Sequence, residues 1–143
     1  MKREIKFRGK DFLGRWHYGY LHLATGSSSL MIQVDSFDSF GVLPESVGQF
    51  TGLLDKNGKE IYEVDIIGCH NPSINHLIFY NEKQGRFMAA LNGDIENDFG
   101  GVCGLDDSRW TGSKKVIGNV YDNPELLKAE HYETRRRNHA SVL

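Results

Sequence analysis

Cysteine is nearly absent from this 143-residue chain, with 2 residues, Cys69 and Cys103, 34 positions apart. That count excludes a disulfide scaffold, and the spacing fits neither a zinc knuckle nor a redox pair. Proline is scarce, with 3 residues, which excludes collagen-like and polyproline architectures. No apolar run approaches the roughly 18 residues of a membrane-spanning helix. Near the start, Ile5-Lys6-Phe7-Arg8 alternates where a secretory signal would carry an apolar core, so no signal is expected. An excess of one charge is lacking too. Lys and Arg total 17 against 19 Asp and Glu, which excludes the global basic field typical of nucleic-acid binders. No repeat or low-complexity segment is present. A cytoplasmic protein with reduced thiols is expected.

Glycine is abundant at 16 residues, and hydrophobic residues make up 39% of the chain. Much glycine with little proline fits many tight turns between strands. Ile5–Arg8 alternates at the period of a strand, and Arg15–Leu23 follows as its antiparallel partner after a turn at Asp11–Gly14. Further strands are expected at Leu30–Val34, Gln49–Leu54, Asp65–Cys69, His76–Tyr80, Arg86–Leu91 and Val116–Tyr121. Asp35–Gly41 is irregular in pattern. Leu43–Val47 holds one helical turn. Asp55-Lys56-Asn57-Gly58 is the strongest hairpin turn, because Asn-Gly supplies the positive φ angles required. Residues 94–107 read as an acidic loop or a weak strand. Asn123-Pro124-Glu125 starts a helix expected to run towards Ala140. Such a chain builds either a partly open β-barrel or a pair of small sheets.

Charge is unevenly spread. Residues 1–15 carry Lys2, Arg3, Lys6, Arg8, Lys10 and Arg15 against Glu4 and Asp11, whereas residues 94–107 carry five acids and no cation. The two segments are expected to lie close together or simply to face water.

No chemical motif survives inspection. Gly52–Gly58 has the wrong spacing for a phosphate loop, and Glu60 stands where a hydroxyl would hold magnesium. Asp94, Glu96 and Asp98 have the opening spacing of a calcium loop. Phe99 and Leu105 then replace its essential glycine and glutamate. His17, His22, Cys69, His70 and His76 offer no convergent metal ligands. Asp106 and Asp107 with His70 or His76 do not make a hydrolytic site on spacing. No cofactor, no metal and no catalytic residue is expected. Trp16, Tyr18 and Tyr20 share one strand face and are read chiefly as the inner face of a sheet. With Arg8 and Arg15 they are also the candidate interaction residues, able in principle to stack single-stranded bases. Arg135-Arg136-Arg137 reads as a solvated tail.

Two longer stretches resemble a known family. Gln49-Phe50-Thr51-Gly52-Leu53-Leu54-Asp55-Lys56-Asn57-Gly58-Lys59-Glu60-Ile61-Tyr62-Glu63 is similar to the signature of the YopX family of phage and prophage proteins. Val116-Ile117-Gly118-Asn119-Val120-Tyr121-Asp122-Asn123-Pro124-Glu125-Leu126-Leu127 resembles its closing motif. The family commonly has glycine where Val64 stands, so a positive φ there would strain this chain. The resemblance implies an α+β, mostly β fold: a β-rich subdomain (1–48), an SH3-like barrel carrying both motifs (49–127), and a helical extension or tail (128–143). It implies a phage or prophage setting in a bacterial cytoplasm, and no enzyme activity. The expected function is a non-enzymatic interaction or assembly module, homo-oligomeric or with a phage or host protein partner. The alternative is a small-barrel single-stranded nucleic-acid binder.

Overall fold

The computed structural model describes residues 2–68, 74–96, 102–105 and 112–127. Glycine- and aspartate-bearing turns break the chain into short strands, and antiparallel pairing joins them into two sheets. The first sheet contains β1 (Phe7–Lys10), β2 (Trp16–Leu23), β3 (Leu30–Gln33), β4 (Ser39–Gly41), β5 (Gly48–Leu54) and β6 (Glu60–Tyr62), in the order β4-β3-β2-β1-β5-β6. The second contains β7 (Asp65–Gly68), β8 (His76–Asn81), β9 (Arg86–Leu91), β10 (Val102–Gly104) and β11 (Lys115–Asn119), in the order β10-β9-β8-β7-β11. A single 3₁₀ turn, Pro44–Ser46, precedes β5. The expected irregular stretch 35–41 yields β4, a short edge strand paired Ile32↔Phe40.

Two cores result. Ile32, Val42 and Val47 pack under the first sheet with Phe7 and Leu21. The second sheet is buried on both faces. Ile67, Ile78 and Ala89 meet Ile61 of the first sheet on one side, and Ile66 and Leu77 meet Val64, Val120 and Leu127 on the other.

The SH3-like barrel is not formed. Both sheets are open, and of the two expected architectures the structure has the pair of sheets. Side chains occupy backbone groups that barrel closure would need. On the terminal strand β11, Val116 N–H donates to Asp55 Oδ2 (2.9 Å) and Asn119 N–H to Asn123 Oδ1 (3.3 Å). An edge capped this way has few free donors left for another strand.

The C-terminal helix is also corrected. Among the described residues there is no α-helix, and Pro124–Leu126 is one 3₁₀ turn. Asn123 does not cap it, because its side-chain oxygen serves Asn119, and Leu127 is already extended (φ −117°, ψ 160°). Residues 128–143, with Arg135–Arg137, lie outside the described residues.

Candidate functional site: the turn-presented end of the first sheet

β1 and β2 place the expected interaction residues, and Asp11 organises the turn between them. Its Oδ1 accepts from the backbone N–H groups of Leu13 and Arg15, both at 2.9 Å. Its Oδ2 accepts from Arg15 Nε and from His17 Nε2, both at 2.8 Å. A carboxylate only accepts, so Nε2 of His17 carries the proton. The hydrogen bond from His17, followed by those from Arg15 and Leu13, holds the Asp11 carboxyl well below the usual range. The His17 ring in turn stacks on Phe40 of β4 at 3.9 Å between centroids.

Asp35 performs the same task between β3 and β4. Its Oδ1 accepts from the N–H groups of Phe37 and Asp38, both at 2.8 Å, and these bonds lower its pKa. In an antiparallel meander ordered β4-β3-β2-β1, the β1–β2 and β3–β4 turns lie at the same end of the sheet. That end carries Phe12 and Leu13, each 79% exposed, and Phe37, 95% exposed. These three residues were not among the expected ones. The available signal was the placing of large apolar residues inside aspartate-bearing turns, where solvent exposure is the rule.

The aromatic stripe departs from its expected inward orientation. Tyr18 is 47% and Tyr20 65% exposed, while Leu21 joins the core. The cause is Arg8. It stands opposite Tyr18 in the ladder and is itself buried. Its guanidinium lies 4.8 Å from the Trp16 ring and 5.1 Å from the Tyr62 ring, and its Nη2 is 2.7 Å from Asp65 Oδ1. Asp65 Oδ2 accepts from the Tyr62 N–H at 2.8 Å. Burial pushes the Asp65 carboxyl above its usual pKa, against the pull of Arg8. Trp16 Nε1 donates to Asp122 Oδ2 at 2.8 Å, and Lys10 pairs with the same carboxylate. The structure therefore gathers Trp16 and Tyr62 on the Arg8 guanidinium and Tyr18 on Tyr62, and the Arg8–Asp65 pair joins the two sheets. Arg15 belongs to the turn, and Tyr20 stands alone further along β2.

The two long motifs prove to be joints as well. Asp55 Oδ1 caps its own hairpin through Asn57 and Lys59 N–H, and its Oδ2 reaches Val116. Burial raises the Asp55 carboxyl, but these three hydrogen bonds outweigh it and the pKa falls below normal. At Gly118 a Cβ would stand 2.3 Å from Asn123 Oδ1, so only glycine lets that turn close.

The N-terminal cations do not pair with the acidic segment among the described residues. Lys6 pairs with Glu4 and Glu60, Arg8 with Asp65, Lys10 with Asp122 and Arg15 with Asp11. No group of three or more His, Cys, Asp or Glu side chains able to hold a metal occurs among the described residues. Cys103 is a free, partly buried thiol. Cys69, His70, Asp98, Asp106 and Asp107 lie outside the described residues. No helix among the described residues is long and apolar enough to cross a membrane.

Fold and site together define a two-sheet β protein in which Asp11, Asp35, Asp55, Asp65 and Asp122 hold turns and join sheets. The chain belongs to the YopX family, matching the YopX protein over residues 7–128. It is also similar to the crystal structure of protein EF1440 from Enterococcus faecalis. The two are 26% identical, with a TM-score of 0.51 over 87% of this chain and 99% of that one. No curated protein matches.

Proposed function

We propose that this protein is a non-enzymatic protein-binding module, and that it engages its partner through the Phe12, Leu13 and Phe37 end of the first sheet. The observation that carries this reading is the exposure of three large apolar side chains on two turns, each locked by an aspartate. Exposing them costs solubility, and locking them lowers the ordering entropy lost on association. Apolar anchors on a rigid scaffold are the usual centre of a protein interface. The adjoining Asp35, Asp38 and Arg15 provide a polar rim. The expected base-stacking role of the β2 face finds less support, because Arg8 is consumed by Asp65 and Arg15 by Asp11.

The test is a Phe12→Ser/Leu13→Ser/Phe37→Ser variant, compared with the wild type by sedimentation and by affinity capture from host cells. The wild type should self-associate or retain a defined protein, and the variant should lose that association while keeping its far-UV spectrum. Identical masses and captured proteins for the two would refute the proposal.

A further inference from the structure

A second surface is independent of that end. Between β5 of the first sheet and the β8–β9 hairpin of the second runs a groove of about 420 Å³. Its walls include Gln49 and Leu53 on one side and Tyr80, Arg86 and Phe87 on the other, with Arg3 over the rim. Among the described residues it is lined by two cations and no acid. Neither Arg3 nor Arg86 forms an ion pair among the described residues, whereas Lys6, Arg8, Lys10 and Arg15 all do.

Both arginines rest on glycine. The Arg3 stem passes over Gly52, 3.8 Å from where a Cβ would stand, and Arg86 Nη1 lies 3.0 Å from the corresponding point at Gly104. Gln84 Oε1 accepts from Arg86 Nε at 3.0 Å and fixes its direction. The cations are thus placed on glycine shelves, without a counter-ion among the described residues. Beside them the Tyr80 ring is 40% exposed, braced edge-to-face by Phe87 at 5.3 Å.

We infer that this groove binds a short single-stranded nucleic-acid segment, with phosphates on Arg3 and Arg86 and a base on Tyr80. Unpaired arginines alone would equally suit an acidic peptide. The braced, exposed ring beside them favours a nucleobase, since stacking platforms between cations are how single strands are held without sequence readout. The chain's net charge of −2 leaves this a local attraction over one or two nucleotides.

Fluorescence anisotropy of the full chain with labelled (dT)10 and (rU)10, and with a labelled glutamate decapeptide, tests it. The oligonucleotides should bind at ~50 mM salt. Two phosphate contacts on a single strand should weaken binding about sevenfold by ~200 mM. Tyr80→Ala should weaken binding at least about fivefold, and Arg3→Ala/Arg86→Ala should abolish the salt dependence. Phe12→Ser/Phe37→Ser should leave it unchanged, which separates this groove from the protein-binding end. No oligonucleotide binding at ~50 mM salt, binding indifferent to the Arg3, Arg86 and Tyr80 changes, or tighter binding of the glutamate peptide would each overturn the inference.

Discussion

Val64 is the residue at which this chain departs most plainly from an easy conformation. Its φ is +65°, a left-handed value that costs a β-branched residue on the order of 1–2 kcal/mol. Three contacts hold it there. Its N–H donates to Ile78 O (2.8 Å), its carbonyl accepts from Val120 N–H (3.1 Å), and its side chain is buried with Ile66 and Leu77. The site therefore inverts the usual ranking of small residues. Alanine loses the buried methyls and keeps the strain, whereas glycine loses the methyls and releases it. We expect Val64→Gly to be more stable than Val64→Ala by about 1 kcal/mol, although glycine is ordinarily the weaker by a similar amount. Urea midpoints of the two variants check this, and the ordinary ranking would show that the strain is absent. The family's glycine made the position suspect from sequence. That two hydrogen bonds to distant residues, Ile78 and Val120, sustain a valine there was not legible, because neither partner is a chain neighbour.

At the scale of elements, two aspartate turns look alike in sequence and do different work. Asp35 serves only its own turn, through Phe37 and Asp38. Asp55 serves its hairpin and also β11, which lies 61 positions away, through Val116. Asp55→Ala leaves the half-buried Val116 N–H unpaired and removes one of the links between β11 and the first sheet. It should cost about 2–3 kcal/mol, and Asp35→Ala should cost measurably less. Chemical denaturation of both variants measures the difference, and equal losses would mean that the link to β11 contributes nothing. Most strands were readable from alternation and turn residues, and so was the Asn57-Gly58 hairpin, where Gly58 takes φ +80°. β4 was not, because three residues give too little period and its formation depends on pairing with β3. The helix expected after Asn123 failed for a different reason. Its capping side chain accepts from Asn119 N–H four residues earlier, and capping preference by itself does not rank that local turn above a helix start.

For the whole molecule, the carboxylates set the response to acid. Asp11, Asp35, Asp55, Glu60 and Asp122 all have lowered pKa values in the fold. A carboxyl with a lower pKa folded than unfolded adds stability above its unfolded value, about 4, and loses it as pH falls towards the folded one. Asp65, raised by burial, has the opposite sign and gains by taking up a proton. Protonating the five breaks the hydrogen bonds and ion pairs that hold the turns and the β11 link, so the urea midpoint should be highest above about pH 5 and fall below about pH 4. Asp55→Asn should make that acid limb shallower. A midpoint unchanged between neutral and acid conditions would contradict the network.

Alternation, turn residues and spacing were enough to determine that this is a strand-rich protein with most of these hairpins, since each of those signals is local. They also placed Trp16, Tyr18 and Tyr20 on one strand face flanked by Arg8 and Arg15, and of these five the structure gathers Arg8, Trp16 and Tyr18. Only the tertiary structure decided which face is inside, that the sheets stay open, and that Phe12, Leu13 and Phe37 share one exposed end. Those outcomes rest on pairings between distant residues, Arg8 with Asp65 and Asp55 with Val116, whose energies exist only once the sheets have met.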